Sequence, residues 1–304
     1  MKAEIPVPKR YIYIYISVIC FIALTFFSTI GLLAWHYTYE YRHSDIVSRN
    51  KAFSHQTAGA MSLWLDDNIQ IAQNIALAPV VKEYCQSPSD MILYERVSNF
   101  LSDVHKKNIH FSLISIIIFL EDSGKSISIT RNGKLYNIKH GCSIVDSVGG
   151  KSIGIGGLDF SYINAIYNGS KAYISEAKQN ALPEFPPIFM VSVPITDQSG
   201  KILAALSFGI KLDYFSERFA VDFTPNTYET LEIIDNRGYF IGHTNLKNIL
   251  SESNRQDILA LNHYINKSIP ASFDADFAGE LWHIAASPII PRAEMATTWW
   301  AVTR

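Results

Sequence analysis

The stretch IFMVSVPITDQSGKILAALSFGI, Ile188 to Ile210, consists of two β-branched and aromatic runs separated by Asp197-Gln198-Ser199-Gly200. Apolar runs of this length flanking an Asp/Gly turn predict a β-hairpin, Ile188 to Val193 pairing with Ile202 to Ile210. The same grammar recurs further along. Leu231 to Ile234 leads through Asp235-Asn236-Arg237-Gly238 into Tyr239 to Ile241, and Trp282 to Pro288 leads across a short turn into Trp299 to Val302. Upstream, Leu113 to Leu120 is the strongest strand, and Asp122-Ser123-Gly124-Lys125 is expected to fold it back onto a strand near Ile127 and Ile129. Each half thus opens on a hairpin, passes through helical or irregular material and closes on a hairpin with a Val-Pro-Ile or Ser-Pro-Ile step, at Pro194 and Pro288. That is a tandem duplication in outline. Small antiparallel sheets with helices packed on one face, an α+β fold class, fit both halves.

Before Leu113 the period changes. Met61, Leu65, Ile69, Ala72 and Ala76 recur at helical steps, which predicts a long helix from about Ser44 to Ala78. Pro79 suits the first position of a new short helix, because its ring removes a donor and clashes with a preceding turn. Asp90 is placed to cap a further helix carrying Leu93, Val97, Phe100, Leu101 and Val104 on one face. Further back, Ile12 to Ala34 contains no Asp, Glu, Lys, Arg or His. About 20 helical residues cross the hydrocarbon core, so this run predicts a transmembrane helix. Tyr11, Tyr13 and Tyr15 at one end and Trp35, Tyr37 and Tyr39 at the other suit the two membrane–water boundaries. Lys2, Lys9 and Arg10 precede the span, which places the N-terminus in the cytoplasm and the rest outside it, in the periplasm of a cell with an inner membrane. A cleaved signal peptide is the alternative, but the run is longer than the usual h-region and lacks an A-x-A site.

The composition, 48% hydrophobic and 18% charged, agrees with a folded body beyond the span, and a net charge of -2 gives no electrostatic reason to expect nucleic acid as a partner. The implied organisation is a tail (1–10), a transmembrane helix (11–35), a stalk helix (36–90) and two sheet units (91–220 and 221–304). Cys20 lies in the span. Cys85 and Cys142 are read as separate thiols, with one disulfide between them as the alternative.

Several stretches resemble the double Cache family, tandem PAS-like extracytoplasmic sensor domains of bacterial chemoreceptors, histidine kinases and diguanylate cyclases. They are Gly157-Leu158-Asp159-Phe160-Ser161-Tyr162, Asn168-Gly169-Ser170-Lys171-Ala172-Tyr173-Ile174-Ser175, Met190 to Asp197 running into Gly200-Lys201-Ile202, and Leu231 to Gly238 followed by Ile241-Gly242-His243-Thr244-Asn245. The resemblance implies a small-molecule ligand held in the membrane-distal unit between the sheet and the segment from Phe160 to Ser175, with Tyr162, Tyr173 and Ser207 as lining residues. It also implies an output module of which a chemotaxis coiled coil is the first choice. The apolar stripe of the helix from Ser44 to Ala78, longer than one domain easily covers, predicts a parallel homodimer through stalk and span, and the span itself predicts contact with the lipid bilayer. Ending at Arg304, before any second span, the chain is expected to be a fragment or a truncated product.

Amino-acid-binding members carry an arginine and a later aspartate for the two ends of the ligand. The corresponding positions here fall at Phe160 and Gly209, so the usual mode of amino-acid recognition is not expected; Arg131 and Asp159 are the nearest substitutes. A small acid, an amine, a purine or an uncharged molecule remains open. Gly149-Gly150-Lys151-Ser152 lacks the first glycine of a phosphate-binding loop and reads as a turn. His243 has no second ligand at metal spacing and reads as a structural histidine. Asp274, Asp276 and Glu280 read as a solvated turn. No catalytic constellation and no cofactor motif stands out, so the chain is read as a non-enzyme, against the alternatives of a tethered extracytoplasmic enzyme or a purely structural protein.

Overall fold

The computed structural model describes residues 9–122, 124–131, 133–222, 230–252, 270–277 and 280–303. In chain order the elements are helix α1 (Lys9–Ala76), α2 (Pro79–Gln86), α3 (Met91–Lys107), strands β1 (Phe111–Ile118), β2 (Ser126–Arg131), β3 (Lys134–Lys139) and β4 (Cys142–Asp146), helix α4 (Ser161–Tyr167), β5 (Tyr173–Ile174), β6 (Ile188–Thr196), β7 (Ile202–Lys211) and α5 (Leu212–Phe219). There follow β8 (Val221–Asp222), β9 (Thr230–Asp235), β10 (Phe240–Gly242), β11 (Ala271–Phe277), β12 (Glu280–Ile289), β13 (Glu294–Met295) and β14 (Trp299–Thr303). The fold is α+β.

Residues up to Arg49 form one unit and those from Asn50 a second. In the first, α1 exposes its apolar side chains from Tyr13 to Trp35, and this stretch is long and apolar enough to cross a membrane. Its threonines return their hydroxyls to the helix backbone, Thr29 to the Thr25 carbonyl at 2.8 Å, so none presents an unsatisfied donor to lipid.

Among the described residues the second unit holds two large sheets and a separate two-stranded one. The first runs β13-β5-β6-β7-β1-β4 and the second β10-β9-β14-β12-β11, with β8 on β9. Turn chemistry sets both main hairpins. The Asp197 carboxylate accepts from the Ser199 and Lys201 amides at 2.8 and 3.0 Å, with Gly200 at positive φ; Asp235 does the same for Arg237 and Tyr239, both at 3.0 Å, with Gly238 at positive φ. One face of the first sheet, including Ile114, Ile116, Val191, Leu206 and Phe208, joins a core with Leu65, Val81 and Leu101 from α1, α2 and α3. That core continues into the second sheet through Trp299, whose ring lies 4.9 Å from Phe189 and 5.8 Å from Phe215. Helix α2 begins at Pro79, and Asp90 caps α3 by accepting from the Ile92 and Leu93 amides at 2.8 and 3.1 Å.

Four expectations are revised. First, β1 does not pair with β2: its neighbours are β7 and β4, and β2 and β3 form a separate two-stranded sheet. β1 is buried at every position and requires neighbours buried on both faces, whereas β2 and β3 bury one face only, at residues such as Ile129 and Ile138. Second, the link between β12 and β14 is more than a turn, because it contains β13, which leaves the second sheet to pair with β5 in parallel. Third, Asp274 and Asp276 lie on strand β11, not in a turn; polar residues alternate there with Phe273, Ala275 and Phe277, and Asp274 accepts from His283 Nδ1 at 2.7 Å. Fourth, the stripe of Met61, Leu65, Ile69, Ala72 and Ala76 is buried inside the second unit. It therefore offers no free surface to another copy. Cys85 and Cys142 are free thiols, both buried, and burial pushes the Cys85 thiol up to about 12.

Candidate ligand cavity

The other face of the first sheet carries the candidate site. Its strand register aligns one residue from each of six strands in a single row: Glu294, Tyr173, Ser192, Ser207, Ser115 and Asp146. Residues directly opposite project to the same face, so a polar line crosses an otherwise apolar sheet. Apolar rows flank it, Leu113–Gly209–Met190 on one side and Ile117–Ala205–Pro194 on the other. Helix α4 lies on this face through Tyr162, Ile163 and Ile166, packed with Ile117, Ile188, Met190 and Ala205.

Two chain segments close the site. After β4 the chain wraps around Asp146, whose carboxylate accepts from the amides of Val148 at 2.9 Å, Gly150 at 2.7 Å and Ser152. Those amides are spent on an internal anion, so the Gly149–Ser152 segment is a turn with no phosphate to cradle, and Lys151 turns away to Glu184 at 3.0 Å. Gly156 then passes against Gly141 and Cys142 with φ +146°, where a Cβ would collide with the Gly141 carbonyl. The second segment follows β5. Lys178 exchanges two backbone hydrogen bonds with Ile188, at 2.8 and 2.9 Å, which fixes its side chain over α4.

Between these segments and the sheet lies a cavity of about 50 Å³. Leu113, Ile117, Ile188 and Met190 form its apolar wall; Ser115, Tyr162, Lys178 and Asn180 supply polar groups, and no carboxylate lines it. The Lys178 ammonium stands 4.7 Å from the Phe160 ring centre and 5.0 Å from that of Tyr162. Among the described residues it makes no hydrogen bond or ion pair, and burial draws its pKa below the usual lysine value, against the opposing pull of Glu176 and Asp159. The Tyr162 and Ser115 hydroxyls likewise have no hydrogen-bond partner among the described residues, although both residues are more than nine-tenths buried. Burial, then the charges of Glu176 and Asp159, push the Tyr162 phenol well above its usual range. Buried polar groups are rarely left unsatisfied, so these two hydroxyls, with the half-buried Lys178 ammonium beside them, make this cavity the candidate for a small guest.

The residues expected to form the site are therefore only partly brought together. Tyr162 lines the cavity. Tyr173 packs at the margin of the same cluster, and burial raises its phenol pKa. Ser207 is on the same sheet face as Ser115 but does not line the cavity; it is fully buried, with its hydroxyl 2.7 Å from that of Ser192. Asp159 acts on Tyr162 and Lys178 only through its charge. Arg131 lies elsewhere: its guanidinium stacks 4.2 Å from the Tyr94 ring centre and donates to Tyr84 Oη, Thr130 O and Pro88 O. Of the two charge positions, Phe160 lines the cavity, and Gly209 faces Ile188, Leu113 and Met190, which leave no room for a carboxylate without displacement. Lys178, Ser115 and Asn180 escaped sequence reasoning. Lys178 sits in Glu176-Ala177-Lys178-Gln179-Asn180, a polar run that reads as ordinary solvated loop until the pairing with Ile188 folds it inward.

His243 is hydrogen-bonded in the second sheet: its Nδ1 accepts from the Asn245 amide at 2.9 Å and its Nε2 lies 3.3 Å from Glu232. Among the described residues no group of three His, Cys, Asp or Glu side chains is placed to hold a metal ion.

No family model matches the chain, and no curated protein matches it in sequence. Solved structures do match in fold. Methyl-accepting chemotaxis protein X superposes with a TM-score of 0.59 at 9% identity, covering 86% of this chain and 97% of its own. The ligand-binding domain of the Pseudomonas fluorescens chemoreceptor CtaA, in complex with L-isoleucine, gives 0.53 at 11% identity, covering 86% and 92%. A domain of a sensory box/GGDEF family protein from Vibrio parahaemolyticus gives 0.56 at 12% identity, covering 86% and 96%. The second unit of this chain has the fold of the double Cache sensor domains.

Proposed function

We propose that this chain is the extracytoplasmic sensing part of a membrane-anchored receptor that binds a small molecule in the cavity beneath α4. The observation that supports this most directly is the trio of unpartnered polar groups on Lys178, Tyr162 and Ser115 around one buried cavity. In the same reading the span lies in the cytoplasmic membrane with the N-terminus inside, and the chain acts as a homodimer. A chemoreceptor output is the first choice, with a kinase or a cyclase as alternatives. Binding without turnover fits the lining, which has no carboxylate, histidine or cysteine to pair as acid and base.

Thermal unfolding of the full chain in detergent micelles, run against a broad library of small metabolites, tests the reading. A ligand that binds only the folded state raises its stability by RT ln(1 + [L]/Kd), so saturable stabilisation with no chemical change in the compound is expected. It should vanish in Met190→Trp, which fills the cavity. Stabilisation that survives this substitution would place the ligand elsewhere and overturn the site.

A further inference from the structure

We infer that the ligand is a small monocarboxylate of about two or three carbons, with Lys178 as its charge partner. This rests on the sensing reading and specifies the chemistry of its site.

Size comes first. A water needs roughly 10–15 Å³ of such space, so the cavity of about 50 Å³ holds the equivalent of a few waters. That suits a molecule of about four to six heavy atoms and is far below the roughly 300–1,000 Å³ of a drug-sized site. Charge comes second. The lining has one cation and no anion; among the described residues the Lys178 ammonium rests on the faces of Phe160 and Tyr162 and feels Glu176 and Asp159 through their charge alone, without a hydrogen bond to either. A half-buried ammonium without a hydrogen-bonded counter-charge has lost part of its hydration with nothing in return, and a guest carboxylate offsets that cost. Hydrogen bonding comes third, because the Tyr162 and Ser115 hydroxyls can both donate to carboxylate oxygens.

The remaining wall sets the rest of the molecule. Leu113, Ile117, Ile188 and Met190 suit a methyl or ethyl group and offer no acceptor for an amine. An α-ammonium would sit near Lys178 with no carboxylate lining the cavity to receive it, because the Gly209 position is closed by side chains. The cavity therefore discriminates against amines by charge and against amino acids by the same missing partner.

Calorimetric titration of the full chain in detergent micelles tests this, with acetate, propionate, lactate and pyruvate as probes and propionamide, propylamine and alanine as controls. At least one carboxylate should bind saturably and none of the three controls should. Lys178→Gln should weaken that carboxylate by about tenfold or more, the effect of losing a charge-assisted bond. Lys178→Met, which keeps the apolar stem over the two rings, should weaken it equally with the melting temperature of the free protein preserved. Failure of every carboxylate, binding of propionamide or propylamine as tight as that of propionate, or unchanged affinity in both variants would overturn the inference. The sensing reading falls on a different result, a ligand from the broad library that Met190→Trp does not affect.

Discussion

His110 shows how one side chain carries a pH dependence. Its Nε2 lies 2.8 Å from Asn68 Oδ1, whose own amide donates to the Trp64 carbonyl at 2.8 Å, so the oxygen is held as an acceptor and the imidazole as a donor. Burial, then the charges of Arg218 and Lys211, lower its pKa from 6.5 to about 4. Between those values the unfolded chain binds a proton that the folded chain does not, so stability is lost as the pH falls through that window and is present above it. Allowing for the residue's partial exposure, the effect is on the order of 1 kcal/mol, or about 2–4 °C in melting temperature. His110→Phe should flatten the melting temperature between pH 7 and pH 4.5 by that amount; an unchanged slope would remove His110 as its source. At this scale the sequence was least legible. Tyr162, which lines the candidate cavity, could be named because a motif surrounds it, whereas Lys178 needed a backbone pairing between residues ten apart that no local pattern announces.

Elements were far more legible, because capping and turn chemistry act over four or five residues. Asp90, Pro79, Asp197 and Asp235 each did what their side chains dictate. What failed was partner choice. A run such as Leu113 to Leu120 declares a strand but not its neighbours, and the stripe on α1 declares a buried face but not what buries it. Here its own sheets do, and the consequence is measurable at two adjacent exposures. Leu65 is fully buried, while Leu63 is 66% exposed on the same helix. Leu65→Glu should cost about 3 kcal/mol or more, since an unpaired carboxylate replaces core packing, and Leu63→Glu should stay within about 0.5 kcal/mol of the parent. Comparable melting temperatures for the two variants would contradict the burial of the stripe.

For the whole molecule, the basic tail before an apolar, exposed helix sets the expected topology. A reporter active only outside the cytoplasm should work when fused after residue 100 and fail at the N-terminus; the opposite pattern would invert the assignment. In the homodimer proposed above, with the stripe from Met61 onward occupied, the span and the first turns after it are the expected contact. Cysteines at Leu24 or Phe27 should then cross-link pairs of chains in membranes, in a background where Cys20 is replaced by serine, and their failure along the whole span would argue for a monomer. The parallel pairing of β13 with β5 bears on inheritance. Glu294 and Ala296 donate their amides to Ala172 and Ile174, and Arg237 reaches the Ala177 carbonyl at 3.4 Å, so late parts of the chain complete the edge and loop beside the cavity. Recombination between related genes at about residue 220 would hand the first sheet an edge strand from a different parent. Selection would then keep the two halves together as one heritable block, and new ligand preferences would arise by point substitution rather than by shuffling of halves.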